Sequence, residues 1–253
     1  MLACGAHFTF ALMNGRVVSF GENLHGELGR LITNSSIGDN FFPMNIDAGA
    51  LIRQVSCGSV HTALVTFEGD LLMCGSGTYG LLGLGDDKNR ATPTLVPRNM
   101  FDGKAVLMVA CGASHSVVLT EDGGVFTFGN ELRRRLEFGN KQVQLAPNKV
   151  SAAAFNDERI VMVAAGDGHT VALSDAGHVF TWGRGNIGQL GHNDRKDNRV
   201  PRQVEPGRFG GEKVVFVAAG RSHTAAVTTR GRLYTWGFNS GGQLGHGLSL
   251  IHI

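Results

Sequence analysis

The chain has 253 residues, of which 37 are Gly, and a formal net charge of +2. Glycine at about twice its usual frequency argues against a helical protein, because each interior Gly costs a helix roughly 1 kcal/mol against Ala. The small net charge excludes nucleic-acid binding through overall field, the 42% hydrophobic content excludes disorder, and no apolar run approaches the roughly 20 residues of a membrane span.

The opening residues Met1-Leu2-Ala3-Cys4-Gly5 lack the basic segment and apolar core of an export signal. Cys4, Cys57, Cys74 and Cys111 contain no C-x-x-C pair, so zinc and thioredoxin-like readings fail. Free thiols without an export signal lead us to expect an intracellular protein, cytoplasmic or nuclear. A repeat then organises the chain. His7, His61, His115, His169 and His223 stand 54 residues apart, as do Gly21, Gly75, Gly129, Gly183 and Gly237. The spacing predicts a single repeat domain over residues 1–253, in units of about 1–50, 51–104, 105–158, 159–212 and 213–253.

Unit one reads as incomplete: it lacks nearly all of a first strand and has one residue, not two, between Gly5 and His7. Unit three carries Glu131-Leu-Arg-Arg-Arg-Leu-Glu137 where other units have a glycine-rich loop. Unit four is the clearest. Val161 to Ala165 is an apolar, β-branched strand ended by Gly166, and His169 to Leu173 is a second. Ser174-Asp175-Ala176-Gly177 has turn chemistry, and His178 to Trp182 closes the hairpin. A loop from Gly183 to Gly191 leads to an outer strand containing Pro201; Pro43, Pro93 and Pro147 mark the same element earlier. Proline fits a sheet edge, where its missing N–H costs no ladder bond. Unit five stops before such a strand. Three inner strands and one outer strand describe a propeller blade, so the expected class is all-β. A strand-and-helix solenoid needs a helix in every unit, and none is visible.

The Ala-Gly-x-x-His-Thr, Thr-Trp-Gly and Gly-Gln-Leu-Gly runs resemble the regulator of chromosome condensation repeat family, in five units of one register. The resemblance implies a β-propeller, with this chain as part of a seven-bladed ring. It implies a protein-interaction module acting as a regulatory scaffold rather than an enzyme. The alternative is guanine-nucleotide exchange on a Ran-type small GTPase. In family members of that kind an aspartate in the loop corresponding to Asp167 contacts the GTPase, but their added wedge hairpin has no counterpart here. Chromatin is a lesser partner candidate. Tryptophan-cluster photoreception, also found on this fold, is not expected from a chain whose only Trp are Trp182 and Trp236.

Candidate sites divide into repeat positions and departures from them. His61, His115, His169 and His223 recur once per unit and so do not converge as metal ligands; each is expected to bond a backbone group in its own or the neighbouring blade. Gly183, Gly237, Trp182 and Trp236 are structural repeat positions by the same argument. Two G-x-G-x-x-G runs, at Gly75–Gly80 and Gly183–Gly188, lack the helix that a dinucleotide site requires. No cofactor, metal or small-molecule substrate is expected. The departures are the expected partner contacts: Asp167, Arg221, Arg133, Arg134 and Arg135. The mixed-sign run His192 to Arg199 reads as a solvated loop.

Overall fold

The computed structural model describes residues 1–31, 42–43, 49–129 and 144–246. They fall into two compact units, the first reaching residue 129 and including 144–149, the second spanning 150–246. Regular structure in both is β-strand with short 3-10 turns.

The first compact unit holds three antiparallel sheets. Blade one is β1 (Leu2–Cys4), β2 (Phe8–Met13), β3 (Arg16–Gly21) and β4 (Phe42–Pro43). Blade two is β5 (Ile52–Cys57), β6 (His61–Thr66), β7 (Leu71–Gly75) and β8 (Arg90–Val96). Blade three is β9 (Val106–Cys111), β10 (His115–Thr120), β11 (Val125–Gly129) and β12 (Gln144–Lys149). The second compact unit holds blade four, β13 (Ile160–Ala165), β14 (His169–Ser174), β15 (Val179–Gly183) and β16 (Asn198–Gln203). It also holds blade five, β17 (Val214–Ala219), β18 (His223–Thr228) and β19 (Leu233–Gly237).

Packing explains the composition. The second strand of a blade is flanked by a strand on each edge and meets the next sheet of its own compact unit, β6 against β9 and β14 against β17; β6, β10 and β14 are buried at every residue and are rich in Val, Leu and Ala. Outer strands are less buried: β12 has no buried residue, β8 has only Val96, and β16 has only Pro201. Blades two and three share a core in which Val65, Met73, Val109, Val118 and Phe128 meet. Blades four and five share another, with Val171, Leu173, Val179, Val214 and Val217. In blades three, four and five the 3-10 turn before the blade places a Phe edge-on to the aromatic of its third strand. The ring centroids are 5.4 Å apart for Phe101–Phe126, 5.5 Å for Phe155–Phe180 and 5.4 Å for Phe209–Tyr234.

Two sequence expectations are corrected. The seven-bladed ring gives way to five blades: among the described residues there are four four-stranded sheets and one three-stranded sheet. The 54-residue period allots one sheet to each unit, whereas the figure of seven came from the resemblance alone. Unit one does have a first strand, since Leu2, Ala3 and Cys4 pair with Ala11, Phe10 and Thr9. The register of its histidine also shifts. His61, His115, His169 and His223 pair with Gly75, Gly129, Gly183 and Gly237, but Gly21 pairs with Phe8. Gly5 N–H donates to Phe8 O just as Gly58 N–H donates to His61 O. Phe8 therefore fills the histidine position of blade one. The hairpin there is one residue shorter, with 13 residues from Phe8 to Gly21 against 14 from His61 to Gly75, so exposed His7 falls on the 54-residue interval.

Candidate functional site

Each blade has two ends. One carries the Gly-x-x-His turn and the glycine-rich loop after the third strand. The other carries the hairpin between the second and third strands together with the 3-10 turn. At the first end the two loops are tied by the backbone: Arg184 N–H donates to Gly168 O at 2.7 Å, Ser76 N–H to Val60 O at 2.8 Å, and Phe238 N–H to Ser222 O at 2.9 Å. The approach requires glycine at Gly183 and Gly237, with φ of 100° and 105°; a Cβ would lie 2.5 Å from Gly168 O and 2.7 Å from Ser222 O.

The histidines form a rigid base under these loops. His61 Nε2 lies 3.0 Å from Ser116 Oγ in the next blade, and that hydroxyl donates to Leu81 O at 3.1 Å. In the second compact unit His169 Nε2 lies 2.9 Å from Thr224 Oγ1, which donates to Gln189 O at 2.8 Å. A hydroxyl of the following blade is thus a partner that the sequence did not suggest, beside the neighbouring-blade backbone group that it did, which for His61 belongs to His115. Burial lowers the His61 pKa to about 4. His115 is also buried, and His223 is half-buried in blade five. Trp182 is buried against Phe155, while Trp236 is half-buried and donates from Nε1 to Gln189 O at 3.0 Å.

Asp167 and Arg221 occupy the same turn position in blades four and five, and the structure brings them together. Asp167 N–H donates to Arg221 O at 2.9 Å, and Arg221 Nε lies 3.7 Å from Asp167 Oδ2. The Arg221 side chain is 87% exposed and Asp167 is 24% exposed, so the ion pair is loose and open to water. Arg133, Arg134 and Arg135 lie outside the described residues.

A basic loop next to this pair was missed in the sequence. It joins β15 to β16 and presents Arg184, Arg195 and Lys196, with Arg199 following at the start of β16, all exposed. Mixed sign hid it, because Asp194 and Asp197 share the run. In the fold both carboxylates brace the loop itself. Asp194 Oδ1 accepts from Lys196 N–H at 3.0 Å while Oδ2 pairs with Arg202 at 3.2 Å, and Asp197 Oδ1 accepts from Gly185 N–H at 2.9 Å. The Lys196 N–H bond leads the causes that hold Asp194 below the usual carboxylate range. Arg184 packs over Gly168, where a Cβ would stand 3.2 Å from Arg184 Cβ.

Neither G-x-G-x-x-G run leads into a helix: Gly75–Gly80 ends in the 3-10 turn Thr78–Gly80, and Gly183–Gly188 continues as the basic loop. Among the described residues no group of three or more His, Cys, Asp or Glu could hold a metal ion, and no helix is long and apolar enough to cross a membrane.

Five repeated antiparallel sheets with variable loops define a protein of the β-propeller class. The chain belongs to the RCC1-like domain family, whose model matches residues 1–251. It is 36% identical to the ultraviolet-B receptor UVR8 of Arabidopsis thaliana, over 98% of this chain and 55% of the receptor. It is 34% identical to the human E3 ubiquitin-protein ligase HERC2, over 98% of this chain and 5% of the ligase. The chain thus spans about half of the receptor and a small part of the ligase. Human WBSCR16 is similar in structure, with a TM-score of 0.88 and 29% identity, covering 96% of this chain and 63% of that one. Prp20p of Saccharomyces cerevisiae, described for its binding to Gsp1p and histones, shares the fold at a TM-score of 0.76 and 21% identity, covering 89% and 55% of the two chains.

Proposed function

We propose that this chain is a non-catalytic, regulatory protein-binding propeller that holds its partner with the loops at the Gly-x-x-His end of its blades. The observation that carries the reading is the contrast within one turn. Gly and His are fixed by packing, whereas the residue after Gly is Ser59, Ala113, Asp167 or Arg221 in blades two to five. Side chains that packing does not dictate are free to serve recognition, and a rigid base limits the ordering cost of binding. Asp167 and Arg221 are the proposed contacts from the second compact unit. Arg133, Arg134 and Arg135 join them on sequence grounds.

The test compares partners isolated with the chain, with the D167A/R221A variant and with R230A at the hairpin end. About tenfold loss of the same partners in D167A/R221A alone is expected, as for removal of a central charged contact. Loss in R230A alone would overturn the reading.

A second reading is exchange on a Ran-type GTPase, favoured by Asp167 on the loop end. Its pairing with Arg221 weakens that reading, because the carboxylate already has a cationic neighbour. Labelled-GDP release from Ran is the measurement. Acceleration lost in D167A would establish exchange; an unchanged rate is expected.

A further inference from the structure

Blades two and four carry the same loop with different charge. In blade two, Gly77 N–H donates to Asn89 Oδ1 at 3.1 Å, Lys88 N–H donates to Asp86 Oδ1 at 3.0 Å, and Arg90 pairs with Asp86 Oδ2 at 2.7 Å. Asp197, Asp194 and Arg202 make the corresponding contacts in blade four. The framework needs no further charge. Yet blade two has Ser76, Asp87 and Ala91 where blade four has Arg184, Arg195 and Arg199. From Arg184 to Arg202 there are five cations against two carboxylates; from Ser76 to Thr94 there are two of each.

Among the described residues, Arg184, Arg195, Lys196 and Arg199 make no ion pair, and both nearby carboxylates are committed to the loop backbone. Guanidinium groups left unneutralised on a braced loop fit carboxylates, which they grip through two parallel N–H bonds. In blade five the position of Arg184 is taken by Phe238, which is 38% exposed and offers an apolar foothold at the same end.

We propose that the β15–β16 loop binds an acidic linear segment of a partner protein, rich in Glu and Asp and carrying an apolar side chain for Phe238. The inference rests on the loop-end reading above and gives its partner a chemistry. A polypeptide is favoured over nucleic acid because Asp167, Asp194 and Asp197 are interspersed among the cations, and a continuous phosphate backbone would meet them.

The test is fluorescence anisotropy of the whole chain with a labelled twelve-residue Glu/Asp peptide containing one Leu. Its Gln/Asn counterpart and a twelve-base-pair DNA duplex serve as comparison probes. The variant R184S/R195D/R199A installs blade two's residues and should keep the fold, checked by circular dichroism; R195Q alone is the milder variant. The acidic peptide should bind at least tenfold more tightly than the neutral one, lose about tenfold in the triple variant, and lose two- to threefold in R195Q. Equal binding of the two peptides, indifference to both variants, or tighter binding of the duplex would overturn the inference. Those results would leave the loop-end reading to its own test with D167A/R221A, so the two can fail separately.

Discussion

His61 is enclosed by two blades, and its imidazole stays neutral because no water reaches it. Its pKa falls from 6.5 to about 4, with burial as the first cause. The sign follows directly. Below pH 6.5 the unfolded chain takes up a proton that the folded chain refuses until about pH 4, so stability is full above 6.5 and declines as pH falls through that window. The whole shift corresponds to about 3 kcal/mol. His61→Phe, the solution blade one already uses at Phe8, should flatten this acid limb by one proton in urea titrations at stepped pH. An unchanged slope would contradict the account. The thiols make a second case. Burial pushes Cys111 up to about 12 and raises Cys57 and Cys74 as well, while Cys4 is exposed. A thiol-disulfide reagent should therefore find Cys4 fast, half-buried Cys57 slower, and Cys74 and Cys111 protected in the folded chain, with all four fast in denaturant; a fast Cys74 or Cys111 would contradict that burial.

At the scale of elements, the blade seam depends on glycine beneath histidine. A methyl on Gly166 would overlap the His169 ring and stand 2.5 Å from Gly220 O. Gly166→Ala should cost about 2 kcal/mol, read from the urea midpoint, since neither the ring nor the backbone can yield. A cost below about 0.5 kcal/mol would show that the seam adapts. The strands were legible in sequence because β-branched runs, turn residues and edge prolines recur at one spacing. The blade-one register was not: Phe8 replaces histidine by a length change that equal spacing conceals. Nor was the basic loop, whose sign becomes visible only when Asp194 and Asp197 are seen bracing backbone N–H groups.

For the whole molecule, the repeated Gly and His positions serve construction, and the proposal gives recognition to the loop side chains beside them at the same end of the blades. Family membership and the all-β class could be read from Gly, His and Trp-Gly positions, because packing repeats them. The number of blades required counting sheets, and the pairing of Asp167 with Arg221 required seeing adjacent turns meet. The most direct measurement is hydrogen–deuterium exchange of the chain with and without its isolated partner. The account predicts slowed exchange in residues 167–169, 184–197 and 221–223, with no change in the hairpin turns at 174–178 and 228–232. Slowing confined to those hairpin turns would contradict it.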